Sequence, residues 1–228
     1  MITEPARVPA LSPEEWRRID TVLLDMDGTL LDLGFDNQFW RTHVPAAWAA
    51  RRAISAAQAA ADLAPLFKAC EGTLNWYCIE HWSRELELDI AALKRQHQQR
   101  IRWLPGAPQF LQRVRALGKR LVLITNSHPT VLTIKDERTQ VIDYFDGCFS
   151  SHSFGAPKEE QQFWRELRRV EHYDPDRSLF ADDSLPVLRA ARLAGIARIF
   201  AVHCPDSDGP RRSQEEFPFV DAVAELLP

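Results

Sequence analysis

Four short apolar runs stand out along the chain, and three of them stop abruptly on polar residues. Thr21–Leu24 (TVLL) runs into Asp25-Met26-Asp27-Gly28-Thr29, Arg120–Thr125 (RLVLIT) into Asn126-Ser127-His128-Pro129, and Ser178–Asp182 (SLFAD) into Asp183-Ser184; Arg198–Val202 (RIFAV) is the fourth. Runs of four to six residues without polar alternation predict strands buried on both faces. Between the later runs the period changes to that of helices, over residues 107–117 (APQFLQRVRAL), closed by Gly118, and over 159–171 (EEQQFWRELRRVE). Alternating strand and helix predicts an α/β fold, a Rossmann-like parallel sheet with helices on both faces.

The spacing of the strand ends is uneven. Asp25 and Thr125 are 100 residues apart, Thr125 and Lys158 33, Lys158 and Asp183 25. One strand–crossover–strand unit takes roughly 30 residues, so about 70 residues after the first strand are surplus. They read as helices: the alanine-rich AAWAARRAISAAQAAADLA, the amphipathic NWYCIEHWSREL and the polar IAALKRQHQQRI, with four of the seven tryptophans (Trp40, Trp48, Trp76, Trp82). The division expected is a core of residues 1–33 and 104–228 and a helical cap of residues 34–103, joined near 32–35 and 103–106. Residues 204–218 read as a surface loop before a short C-terminal helix.

Composition narrows the class. In 228 residues, 45% are hydrophobic and 26% charged, which is globular. The 28 Lys+Arg and 32 Asp+Glu give a formal charge of −4, and the arginine pairs are scattered, so no nucleic-acid partner is expected. Cys70, Cys78, Cys148 and Cys204 are too widely spaced for a C-x-x-C motif and read as reduced thiols. The opening MITEPARVPALSPEEW has neither the basic start nor the apolar run of a signal peptide, and no stretch of about 18 apolar residues occurs, so a cytoplasmic protein without a membrane partner is expected.

In open α/β sheets ligands bind at the carboxyl ends of the strands. Those ends carry Asp25 and Asp27, Thr125 and Asn126, Lys158 and the pair Asp182-Asp183. Carboxylates converging on one crevice repel unless a cation lies among them, and all-oxygen ligation suits Mg²⁺. The nearby lysine and threonine suit a phosphate. In this order, Asp25-x-Asp27-Gly28-Thr29, Thr125-Asn126, Lys158 and Asp182-Asp183 resemble the four motifs of the haloacid dehalogenase superfamily, over about residues 20–203. More narrowly, TVLLDMDGTLLDL, TLNWYC and SHSFGAPKE resemble the GMP/IMP nucleotidases of that superfamily.

The resemblance implies a Mg²⁺-dependent phosphoric monoester hydrolase. Asp25 is then the nucleophile, with its second oxygen on the metal; Asp27 is the general acid and base, with its carbonyl on the metal. Asp182 and Asp183 complete the metal set, their order open. Gly28, Thr29, Thr125, Asn126 and Lys158 bind the phosphoryl group, Lys158 also keeping Asp25 ionised. The substrate implied is a small phosphate ester, a purine nucleotide, with Asn75 on the base edge and Trp76 or Tyr77 stacking.

Plainer readings stand beside these. Asp-Gly after a strand is a common turn, Lys158 alone is a helix-start lysine, and Asp182 or Asp183 alone is a helix cap. Trp40, Trp48 and Trp82 fit the core of a bundle. His128, His152 and His203 fall in crevice loops and, without metal-ligand spacing in sequence, stay outside the site. A phosphomutase or sugar-phosphate phosphatase shares the same core, and a binding module on an inactive core has no missing motif in its favour. A dehalogenase leaves Asp27 without a task, since halide needs no proton. Sequence leaves the oligomeric state open.

Overall fold

The computed structural model describes residues 7, 8, 10–213 and 216–227. Residues 1–6 and 9 of the segment read for a leader, residues 214–215 of the expected surface loop, and residue 228 lie outside the described residues. A short helix α1 (Pro13–Arg17), started by a Ser12–Glu15 capping box, precedes the central strand β1 (Thr21–Leu24). The cap follows: α2 (Gly34–Gln38), a π-helical turn (Phe39–His43), α3 (Val44–Arg52), α4 (Ala56–Cys70), α5 (Leu74–Tyr77), α6 (Ile79–Leu86) and α7 (Ile90–His97). The core then resumes with α8 (Ala107–Ala116), β2 (Arg120–Thr125), α9 (Pro129–Thr139), β3 (Gly147–Ser150), α10 (Gln161–Val170), β4 (Ser178–Asp182), α11 (Leu185–Leu193), β5 (Arg198–Val202) and β6 (Phe219–Val220).

The sheet is parallel, in the order β3-β2-β1-β4-β5-β6. The chain winds outward from β1 on one side and then, from β4, on the other, so a crevice opens between β1 and β4 at their carboxyl ends. Register levels those ends: Leu24 stands opposite Leu123 and Ala181, which brings the ends of β1, β2 and β4 together. Alternate residues serve opposite faces. Val22, Leu24, Leu121 and Leu123 pack with Phe110 and Val114 of α8, while Leu23, Val122, Ile124 and Phe180 pack with Phe163 and Trp164 of α10 and Leu188 of α11. A third cluster, including Phe39, Trp48, Leu63, Trp82 and Ile90, is the cap's own core.

The four expected strands are present with the expected bounds. β3 and β6 were not legible. Gly-Cys-Phe-Ser at the sheet edge keeps only its last residue fully buried, and two residues of β6 leave no pattern to read. No helix among the described residues is long and apolar enough to cross a membrane.

The two chain segments that join cap to core are paired. Asp32 donates its N–H to the Arg102 carbonyl at 2.9 Å and Leu104 to that of Leu30 at 2.8 Å, an antiparallel ladder beneath the cap. Asp32, buried, is bound by Arg102 Nε at 2.8 Å and by Ser207 Oγ at 2.6 Å, and Leu33 donates to the Pro205 carbonyl at 2.9 Å. The loop after β5 therefore braces the outgoing segment.

Candidate active site

Beyond Leu24 the chain leaves the sheet at Asp25, whose N–H bonds the Ala181 carbonyl of β4. Lys158, fully buried, reaches it from the loop before α10: Nζ lies 2.5 Å from Asp25 Oδ1, 2.7 Å from Asp182 Oδ2 and 3.2 Å from the Ile124 carbonyl. Burial pushes the Asp25 carboxyl up to about 6 against the pull of Lys158, with Asp182 adding repulsion. The same burial raises Asp182 and, more strongly, Asp183, whose opposing partner is Arg212 at 2.6 Å. For Lys158, burial alone would lower its value, but the two carboxylates outweigh it and hold it charged.

Asp27 has a lysine of its own. Lys135 of α9 places Nζ 2.5 Å from Asp27 Oδ1 and 2.5 Å from Asp36 Oδ2, and Lys94 of α7 lies 2.6 Å from Asp36 Oδ1. Asp27, Lys135, Asp36 and Lys94 thus form a chain of alternating charge from the end of β1 into the cap. Burial raises Asp27 to about 6 although Lys135 opposes it. Asp36, equally enclosed, is held below the carboxylate range because two lysines outweigh burial. Sequence reasoning missed Lys135, Asp36 and Lys94. A signal existed: Lys135 follows Val131 by four residues and Lys94 follows Ile90 by four, so each lysine occupies the buried face of its helix.

Thr125 and Asn126 close the other side. Thr125 Oγ1 accepts the Ser127 N–H at 2.9 Å, and Asn126 bridges the Lys158 N–H (2.9 Å, through Oδ1) and Glu159 Oε2 (2.9 Å, through Nδ2). Glu159 in turn accepts the Tyr77 hydroxyl of the cap at 2.6 Å; burial and then Glu159 push that phenol well above its ordinary value.

Two expected phosphate ligands are not brought in. Gly28 spends its N–H on the Leu31 carbonyl at 2.7 Å, and neither Gly28 nor Thr29 lines the crevice, because the turn folds back through Leu30 and Leu31 onto the Met26 carbonyl and buries both. Gly28 has a different task. Its φ is +89°, and a Cβ there would stand 2.7 Å from Asp183 Oδ2 and 2.9 Å from Pro205 Cβ. Gly28→Ala should therefore cost about 1–3 kcal/mol of stability in denaturant unfolding and, if Asp183 ligates Mg²⁺, weaken Mg²⁺ binding by displacing it. Unchanged values of both would refute this role.

Over the crevice lies a cavity of about 700 Å³ whose floor is Asp25, Asp27, Thr125, Lys158, Asp182 and Asp183 and whose roof includes Trp40, Phe67, Trp76 and Tyr77. Trp48 and Trp82 are buried in the cap core, but Trp40, next to the buried Phe39, is only half-buried and faces the cavity. Trp40, Phe67 and Trp76 each meet Trp82 edge-on, at centroid distances of 5.9, 5.0 and 6.4 Å, which fixes the roof. Asn75 is exposed and outside the cavity lining, so it is not placed to meet a base: one turn of α5 directs Trp76 and Tyr77 inward and leaves their neighbour to solvent. His128 lines the cavity, His152 lies behind it, and His203 stacks on Phe219.

Mg²⁺ is tested by the donors themselves. Asp25, Asp182 and Asp183 each offer an oxygen within 4.8 Å of the others, and all three are driven towards protonation by burial, a cost that a hard cation removes. Both Asp182 oxygens are engaged, Oδ1 by the Ser184 N–H and Oδ2 by Lys158, whereas Asp183 has one outside its Arg212 pair. The carboxylate of Asp27 is committed to Lys135, apart from this set.

The chain matches the model of a hydrolase family, haloacid dehalogenase-like hydrolase, over residues 19–195. It is 38% identical over 213 residues to the GMP/IMP nucleotidase YrfG of Escherichia coli, covering 93% of this chain and 96% of that protein. Among solved structures, a haloacid dehalogenase-type phosphatase from Thermococcus onnurineus superposes with a TM-score of 0.76 at 20% identity, covering 91% of this chain and 96% of that one. A putative β-phosphoglucomutase from Thermotoga maritima gives 0.64 at 18% identity, over 92% and 97%. At these identities the two structures speak to the fold.

Proposed function

The chain belongs to the haloacid dehalogenase-like hydrolases, and from that premise we propose that it hydrolyses purine nucleoside 5′-monophosphates bearing a 6-oxo group, GMP and IMP, with Mg²⁺. The observation that carries this reading is the pair of carboxylates on the turn after the central strand, each with its own buried lysine, under an aromatic roof. Asp25, Asp183 and the Asp27 carbonyl would hold Mg²⁺, with Asp182, whose oxygens are engaged by Ser184 and Lys158, supporting the set from behind; the ion when bound neutralises charge between carboxylate and phosphate. Lys158 bonds Asp25 Oδ1 and sits where a phosphoryl oxygen must approach. Asp25 attacks phosphorus, the ester bond breaks, and the leaving alkoxide takes the proton of Asp27, whose raised value suits an acid near neutrality. Asp27 then takes a proton from water as the hydroxyl oxygen attacks phosphorus, the bond to Asp25 breaks, and phosphate leaves.

The core recognises only phosphate and metal, so discrimination between esters falls to the cap. Trp40, Phe67 and Trp76 are held edge-on around Trp82 and offer preset surfaces to a planar base. Stacking of about 1–3 kcal/mol corresponds to roughly 5- to 150-fold preference for a nucleotide over ribose 5-phosphate. The test compares kcat/KM for GMP, IMP, AMP, UMP and ribose 5-phosphate, scored as free phosphate, in the wild type, Trp40→Ala and Trp76→Ala. GMP and IMP should lead, and each variant should lose most of the preference with little change on ribose 5-phosphate. A wild type that prefers ribose 5-phosphate, or variants with unaltered ranking, would remove the cap from this account.

A further inference from the structure

Where the cap meets the core, outside the carboxylate set, a second group of metal-ligating side chains comes together. Cys78, at the junction of α5 and α6, His128, before α9, and His152, in the 3₁₀ turn Ser151–Phe154, each offer a ligand atom within 4.8 Å of the others. Glu80 of α6 stands beside them: Oε2 is 2.7 Å from His128 Nε2 and 3.6 Å from Cys78 Sγ. Three segments far apart in sequence supply these groups, two from the cap side and two from the core.

We propose that Cys78, His128 and His152, with Glu80 as fourth ligand, bind a zinc-class divalent transition metal that fastens the closed cap to the core. One thiol, two imidazoles and a carboxylate make a sulfur–nitrogen set that selects zinc-class ions, whereas the oxygen-only set of Asp25, Asp182 and Asp183 selects Mg²⁺. A tetrahedral zinc site has ligand-to-ligand distances of roughly 3.3–3.8 Å, so small side-chain movements close the cluster. The Nε2 atom of His152 is itself shielded from solvent without a hydrogen bond of good geometry, while the ring lies against the backbone of Asn126 and Tyr77.

The protons are accounted for. The thiol of Cys78 loses its proton to solvent on binding, and its sulfur accepts the His81 N–H at the start of α6. His128 Nδ1 now accepts the Thr130 N–H at 3.2 Å, which puts the ring proton on Nε2, towards Glu80. Binding through Nε2 moves that proton to Nδ1 and gives up the contact with the Thr130 N–H.

The test uses the full chain, stripped with chelator and titrated with Zn²⁺ or Co²⁺ under saturating Mg²⁺. One equivalent of Zn²⁺ should bind despite the Mg²⁺, and the Co²⁺ form should show thiolate-to-metal charge transfer that Cys78→Ser abolishes. His152→Gln should weaken Zn²⁺ by about 100-fold or more, while Asp183→Asn leaves it unchanged. Zn²⁺ should raise the wild-type melting temperature and leave those of Cys78→Ser and His152→Gln where they are. The site is refuted if Mg²⁺ displaces all the Zn²⁺, if both variants bind it as the wild type does, or if binding follows Cys70→Ser instead, whose thiol lies 3.6 Å from His81 Nε2. None of these outcomes depends on which ester the enzyme hydrolyses.

Discussion

Asp25→Asn leaves less than about one part in a thousand of the wild-type kcat, yet the variant is at least as stable as the metal-free wild type at pH 8. Activity falls because a neutral amide neither attacks phosphorus nor ligates Mg²⁺ well, and no neighbour replaces it: Asp182 is committed to Lys158 and Ser184, and Asp27 to Lys135. Stability follows from linkage. Burial lifts Asp25 from 3.8 to about 6 in the folded chain, so the folded state binds the proton more tightly than the unfolded one. Its stability therefore declines as pH rises from about 4 to 6 and stays reduced above that, which asparagine avoids. Melting with chelator at pH 5 and pH 8 checks the sign: the variant's advantage over wild type should widen with pH. Retention of more than a few per cent of turnover would show that another group attacks phosphorus.

Lys135→Met lowers kcat by about 100-fold on nucleotides with little effect on KM. Lys135 touches neither the nucleophile nor the metal set; it acts by fixing the Asp27 carboxylate at 2.5 Å while bonding Asp36 at the same distance. A positioned general acid contributes about 10²–10⁴-fold, most where the leaving group is a poor one. The loss should therefore be large on GMP and slight on an activated aryl phosphate, whose phenolate needs little protonation. Removing one member of a buried charge chain also costs stability, about 3–5 kcal/mol at most. The double variant Lys135→Met with Asp36→Asn restores the balance of charge, with Asp27 and Lys94 remaining. It should recover stability but keep the leaving-group dependence. Equal losses on both esters, or recovery of nucleotide turnover in the double variant, would make Lys135 purely structural.

These two residues also mark the boundary of what the sequence discloses. Asp25, Thr125 and Asp182 were legible because each ends an apolar run, and a parallel sheet brings such ends together; Lys158 was legible from its order among them. From spacing the sequence pointed to a helical insert, and helices α2 to α7 occupy that interval. For Lys135 and Lys94 helical spacing marked only the buried face, and for Asp36 nothing did, since the partners that give all three their meaning lie 58 to 108 residues away in sequence. The motif Asp-x-Asp-Gly-Thr pointed to Gly28 and Thr29 as phosphate ligands, but the turn that aims Asp27 consumes the Gly28 N–H. In the cap, amphipathic spacing marked Trp40, Trp48 and Trp82 as core, and Trp40 does pack there while its other side lines the cavity. Cys78 and the two histidines had no spacing to announce them, because their proximity exists only once cap and core have closed.

The paired segments Leu30–Asp32 and Arg102–Leu104 carry a consequence for how such a protein can change. Because the chain leaves and re-enters the core through adjacent, mutually bonded positions, the roughly 70 residues between them are topologically a single loop. The entropy of closing a loop grows only logarithmically with its length, by about 0.6 kcal/mol for each doubling. A lid of another size, or another recognition surface, can be grafted onto the same two anchor points while the sheet and its four strand ends stay as they are. Floor and roof are thus separable parts of the architecture, and the size of one sets no limit on the register of the other.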